Sequence, residues 1–181
     1  MHLFHHLNQL TLKHRTKLAL AAFALIAFSS SAFAQATATA TATATIVTPI
    51  SITEVTNMNF GNVAVQTGTG GTVVMTPAAV RTPTGGVTLP VTVGTVAAAS
   101  FTVAGQSGYT YAITLPGSAV TLTNGANTMT ATAFTSTPTP TGTLTGGTQT
   151  LNVGATLNVA AAQAAGVYVS GTAFNVTVNY N

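Results

Sequence analysis

Side chains that could titrate, ligate a metal or attack a carbonyl are spread unevenly along this chain of 181 residues. His2, His5, His6 and His14 gather near the N-terminus with Lys13, Arg15 and Lys17. From residue 35 onward there is no His, Cys, Lys or Asp, and Glu54 and Arg81 are the only charged side chains. A general acid–base pair, a Ser-His-Asp triad and a zinc site each need groups that this stretch lacks. Its many Ser and Thr hydroxyls have no base to activate them. The expectation is a protein that is not an enzyme and takes no metal or cofactor. Glu54 and Arg81 offer at most one surface salt bridge of small energetic weight. The glycines of residues 68–71 are followed by neither Gly-Lys-Ser/Thr nor a helix, so they do not form a phosphate-binding loop. Asn175-Val176-Thr177 fits the glycosylation pattern but lies inside a predicted strand.

The N-terminal basic residues have a different use. Lys13, Arg15 and Lys17 precede an apolar run over residues 18–28, followed by Ser29-Ser30-Ser31 and Ala32-Phe33-Ala34. A basic start, an apolar segment shorter than the roughly 20 residues needed to span a bilayer, and an A-x-A ending together predict a secretory signal cut after Ala34. Residues 1–34 are therefore read as a signal peptide, and the mature chain as secreted to the cell surface through the periplasm of a bacterium. The formal charge of +3 belongs to the precursor; once the signal is removed, Glu54 and Arg81 cancel. Nucleic acid is excluded as a partner, because phosphate binding needs several Lys or Arg side chains to displace counterions. No membrane insertion of the mature chain is expected. A neutral monomer is poorly soluble, which points to an assembled state. The absence of cysteine in an oxidising compartment leaves stability to sheet burial and subunit association.

The elements that carry these few groups are predicted from a two-residue period. Apolar residues alternate with Thr, Asn or Ser through nearly the whole mature chain. Strands are predicted over residues 46–55, 60–65, 71–76, 87–96, 100–104, 109–115, 119–123, 127–134, 148–153, 155–159, 166–170 and 173–180, with Pro90 and Gly94 interrupting the fourth. Gly-rich turns separate them, and Asn124-Gly125 gives the clearest hairpin signal. Residues 135–143, with Pro138 and Pro140, read as a loop or an edge. Many short strands at near-regular spacing predict an all-β fold, an antiparallel β-sandwich. A transmembrane β-barrel also alternates, but this chain has no Trp and no aromatic girdles.

Both ends stand out. Residues 36–45 repeat Ala-Thr, so in an extended strand Ala36, Ala38, Ala40, Ala42, Ala44 and Ile46 share one apolar face and the threonines take the other. The segment would span roughly 35 Å at about 3.3 Å per residue, and no Gly, Pro or charge shields its edges from pairing with another chain. A low-complexity spacer is the plainer reading of residues 35–46; a strand donated to another subunit is the functional one. At the C-terminus Phe174, Val176, Val178 and Tyr180 share one face of a strand that is expected in the core of a domain over residues 47–181 and is a candidate edge for pairing with a partner.

A signal peptide, an alternating N-terminal extension, the segment Asn59-Phe60-Gly61-Asn62-Val63 and a final strand with penultimate Tyr180 resemble chaperone-usher pilins. The similarity is greatest to the spore coat protein U-like subunits and their Thr/Gly-rich bacterial relatives. The resemblance implies an incomplete immunoglobulin-like sandwich, completed by the N-terminal extension of the next subunit, in a homopolymeric pilus or fimbria. It also implies a periplasmic chaperone and an outer-membrane usher as partners. Unlike many such pilins, this chain has no cysteine and no bulky donor residue before Ile46. The alternative function is a monomeric secreted adhesin or binding module, with the N-terminal segment as a spacer.

Overall fold

A computed structural model describes residues 35–181, so the expected signal at residues 1–34 lies outside the described part. The chain divides after residue 44. Residues 35–44 form neither helix nor strand and are exposed. The second unit, Thr45–Asn181, is an all-β sandwich. Its strands are β1 (Ser51–Thr56), β2 (Asn59–Phe60), β3 (Ala64–Val65), β4 (Gly71–Met75), β5 (Arg81–Gly85), β6 (Val87–Thr88), β7 (Val96–Ala97) and β8 (Ala99–Ala104). There follow β9 (Thr110–Thr114), β10 (Val120–Asn124), β11 (Asn127–Thr137), β12 (Thr141–Thr143), β13 (Thr148–Val159), β14 (Val169–Ser170) and β15 (Thr177–Tyr180).

The strand β13 organises the main sheet. Its first half pairs antiparallel with β8, from Thr148 opposite Ala104 to Val153 opposite Ala99. Its second half pairs antiparallel with β4, from Ala155 opposite Met75 to Val159 opposite Gly71. The long strand β11 pairs with β13 across that junction, with Thr137 opposite Asn152 and Thr130 opposite Asn158. The junction residue is Gly154, where any Cβ would collide with the Met75 carbonyl and the backbone of Thr76 and Pro77. Only a residue without a side chain lets one strand serve two neighbours end to end. The sheet continues through β1 beyond β8, β5 beyond β4, and β10 and β14 beyond β11, and it does not close on itself. A separate sheet of three strands, in the order β12-β9-β15, and the short pairs β2-β7 and β3-β6 complete the sandwich.

Alternation sorts β13 into two faces. Leu151, Val153, Ala155, Leu157 and Val159 are buried. The last three join Val73, Met75, Ala131, Val87 and Phe60 in one core cluster. Leu151 and Val153 join Ala99, Val103, Tyr111, Leu144 and Val178 in the other. On the opposite face Thr84, Thr72, Asn158, Thr130 and Thr121 form one row across five strands. The Thr72 and Thr84 hydroxyls lie 2.7 Å apart. The Asn158 amide donates to the hydroxyls of Thr130 at 3.3 Å and Thr132 at 2.9 Å. Hydroxyl and amide groups thus do the solvating work that charges do on most protein surfaces.

A bulge in β11 sets which aromatic enters the core. Between Thr132 and Thr135 the strand carries one residue more than its partner, and Ala133 has φ of +49°. The extra residue shifts the inward positions from Met129 and Ala131 to Phe134 and Ser136. Phe134 packs against both core clusters, and the buried Ser136 hydroxyl donates to the Pro138 carbonyl at 2.8 Å.

Several predicted strands take other bounds. Residues 46–50 carry no strand, so the first begins at Ser51. The run 60–65 is broken into β2 and β3 around Gly61, whose φ is +66°. The run 87–96 contributes only its two ends, as β6 and β7. Residues 148–159 form one strand rather than two, and residues 135–143 are strand at both ends. The edge strand β5 was not predicted, because Pro83 within it cannot donate to a ladder; an edge tolerates that loss. The hairpin turn after β10 lies one residue later than predicted: Asn124 pairs with Asn127 and the positive φ, +59°, falls on Gly125.

Two outcomes follow from the packing. Gly154→Ala should lower the unfolding free energy in urea by about 1–3 kcal/mol, the usual cost of forcing a methyl into a filled site. Tyr111 is fully buried and donates to Gln149 Oε1 at 2.8 Å. Burial pushes its pKa above the ordinary 10.0, because the phenolate loses its hydration. The unfolded chain therefore gives up this proton first. The contribution of neutral Tyr111 should be intact below about pH 10 and lost as pH rises through the folded pKa. Urea titrations of wild type and Tyr111→Phe between pH 8 and pH 11 should show the wild type losing this increment on the alkaline side.

Candidate functional site

The residue pattern of the segment from Met58 to Val65 creates a strand-like wall that is bonded along one side. Asn59 and Phe60 pair with Ala97 and Val96, and Ala64 and Val65 pair with Thr88 and Val87. Between them the chain turns at Gly61, where the Asn59 side-chain oxygen accepts from the Gly61 amide at 2.9 Å. The Asn62 amide donates to the Val93 carbonyl at 2.8 Å, and its side chain donates to the Thr92 carbonyl at 3.0 Å. Arg81 reaches over from β5 and donates from Nη1 to the carbonyls of Phe60 at 2.6 Å and Asn62 at 3.0 Å. The guanidinium is thus committed to main-chain oxygens rather than to the Glu54 pairing considered from the sequence. No ladder among the described residues pairs the other edge of this wall.

That edge borders a cleft of about 660 Å³. Its floor is the inner face of the main sheet, formed by Val120 and Leu122 of β10, Met129, Ala131 and Phe134 of β11, and Leu157 and Val159 of β13. The facing wall is the loop over residues 163–168, together with Ser170 and Phe174. Side-chain hydrogen bonds shape this loop. Gln163 Nε2 donates to the Thr128 carbonyl at 3.1 Å and to the Tyr168 hydroxyl at 2.8 Å. The Tyr168 hydroxyl in turn donates to the Ala164 carbonyl at 2.8 Å. Asn124 Nδ2 donates to the Ala165 carbonyl at 3.3 Å. At one end the two walls meet, where the Ala162 amide donates to the Gln66 carbonyl at 3.1 Å. Most lining side chains are apolar, main-chain and neutral polar groups supply much of the remaining surface, and none is charged. Its chemistry is that of a site for apolar side chains carried on a backbone that can hydrogen-bond, or for a small apolar molecule.

The residues singled out from the sequence are distributed as follows. Ala36, Ala38, Ala40, Ala42 and Ala44 belong to the exposed segment without regular structure, and Ile46 is 96% exposed. Of the C-terminal set, Phe174 lines the cleft and packs on Phe134 with ring centroids 5.1 Å apart. Phe174 also packs against the second core cluster, as do Val176 and Tyr180, and Val178 is a buried member of it. Only Thr177–Tyr180 forms ladder bonds, with β9. Sequence reasoning missed the cleft floor on β10 and β11 and the loop over residues 163–168. Met129 and Leu122 alternate with threonines like other inward positions, and no pattern in the sequence marks them as partly exposed to a cleft.

These features define an all-β sandwich with a cleft lined mainly by apolar side chains, beside a strand edge that no ladder among the described residues pairs. The chain belongs to the family described as Domain of unknown function (DUF4402), whose profile matches residues 50–180. No curated protein and no solved structure matches it.

Arg81 is the only cation from residue 35 onward, and it holds the wall that borders the cleft. Arg81→Gln should lower stability by about 1–2 kcal/mol, in line with the loss of charge-assisted hydrogen bonds at a partly exposed site. Amide exchange at Asn62 and Val63 should quicken, while exchange at Val178 in the second core stays as it was.

Proposed function

We propose that this chain is a non-catalytic structural subunit of an extracellular filament, exported by its N-terminal signal and polymerised by donating residues 36–46 to the cleft of a neighbouring copy. The observation that carries this reading is the cleft itself: lined mainly by apolar side chains, uncharged, about 660 Å³, and bordered by a strand edge that no ladder among the described residues pairs. An added strand answers both needs at once. Its backbone would bond to the open edge, and the alanine face with Ile46 would meet the apolar floor, the β-augmentation mode of recognition. Each added main-chain hydrogen bond contributes about 0.5–1.5 kcal/mol net, so backbone pairing outweighs methyl burial in holding the donor. The matched absence of charge on donor and cleft leaves no buried ion to desolvate. On this reading the cleft is also the surface that a periplasmic chaperone or an outer-membrane usher would cover before assembly.

A monomeric binding module is the second reading. It is favoured by the cleft volume, which falls within the roughly 300–1,000 Å³ typical of small-molecule sites.

Electron microscopy and sedimentation separate the two. The full chain should form fibres, and a chain lacking residues 36–45 should stay monomeric. Inserting one residue after Thr41 should impair assembly, because it turns either the preceding or the following alanines off the apolar face. Fibres that persist unchanged after the deletion exclude the donated strand. A monomer that takes up an apolar fluorescent probe with or without the extension establishes the binding module.

A further inference from the structure

A strand of repeated Ala-Thr has a register problem: every two-residue slip restores the same faces. The structure holds a device that answers it at the base of the extension. The Tyr180 hydroxyl donates to the Thr48 carbonyl at 2.7 Å and accepts from the Gln106 amide at 2.6 Å. Gln106 Oε1 accepts from both the Thr48 amide and the Thr48 hydroxyl, each at 3.3 Å. The Tyr180 ring stands edge-on to Tyr109 with centroids 5.6 Å apart. Gly105 is the residue that admits it, because a Cβ there would meet the Tyr180 hydroxyl. Pro49 follows Thr48 and confines it to extended conformations.

We propose that Tyr180 and Gln106 form a clamp that anchors the chain at Thr48 and so sets the register in which the extension is donated. The functional half of this inference rests on the filament reading above; the anchoring half does not. With Thr48 fixed, the number of residues between the anchor and the neighbour's cleft is constant. A slip of the repeat then has to strain the intervening chain or break the three hydrogen bonds that hold Thr48 to Tyr180 and Gln106. Tyr180 is a positioning residue, acting through Thr48.

The chain has no cysteine, so a single nitroxide can be placed by Thr45→Cys, with Ser118→Cys as a remote control. In the full chain, Tyr180→Phe keeps the ring and removes both hydroxyl bonds. It should narrow the spectrum of the label at residue 45 and leave the label at residue 118 unchanged. Gln106→Ala should do the same by removing the acceptor for Thr48. Where fibres form, both variants should lengthen them more slowly, by roughly threefold to tenfold, the factor expected from losing one or two net hydrogen bonds. The axial repeat, single-valued in wild type, should become mixed. An unchanged label at residue 45, or equal loosening at both positions, overturns the clamp. Fibres with unaltered growth and repeat in both variants overturn its role in register. If the wild-type chain forms no fibres, the filament reading fails, and the label comparison still decides the anchor.

Discussion

The rest of the domain depends on the pairing of one strand. Thr148–Val159 carries β8 on its first half, β4 on its second and β11 across both. Each core cluster takes buried side chains from it. The arrangement is possible because Gly154 leaves room for the end of β4 to approach the backbone. In most sandwiches two sheets share the work of positioning the core. Here a single strand supplies buried side chains to both clusters, and the cleft opens on the inner face of the sheet built around it, over β10, β11 and the end of β13.

A chain so poor in charge and free of cysteine needs other means of fixing its loops. Single polar side chains that each bind more than one group supply them. Arg81 binds the carbonyls of Phe60 and Asn62. Gln149 Oε1 accepts from both the Tyr111 hydroxyl and the Thr143 amide. Tyr180 joins residues near the two ends of the sandwich domain. No buried side-chain nitrogen or oxygen lacks a partner among the described residues. Neutral hydrogen bonds of modest individual worth therefore accumulate without the desolvation cost that buried ions would bring.

Much of this fold was legible in the residues, for a physical reason. Alternation reports which side of a strand faces the core, so β4, β8, β9 and both halves of β13 were readable from it. Alternation fails where the backbone changes parity. Ala133 adds one residue to β11 and turns Phe134 inward, although Ala is a poor predictor of positive φ. Gly154 read as a break between two strands because glycine weakens strands in isolation; the close approach of Met75 that makes it necessary is a long-range fact. Pro83 hid β5 because proline argues against any strand whose edge status is unknown. The Ala-Thr face and Phe174 were visible as patterns. The cleft was not, since a sequence shows which side chains are apolar and not which of them lack a cover.

The end-to-end arrangement of β4 and β8 on β13 also has a kinetic consequence. Both are made long before the strand they bind, with Gly71 pairing to Val159 and Ala99 to Val153. Contacts so distant along the chain are slow to form, because the intervening loop must be closed before any of them is rewarded. A chain emerging from its N-terminus therefore presents β1, β4 and β8 for most of its length without the strand that will join them. The hairpins β4-β5 and β10-β11 can close early, whereas the two cores can unite only after residue 159 has appeared. The joining of the two cores is in that sense a late event, timed by the arrival of one segment.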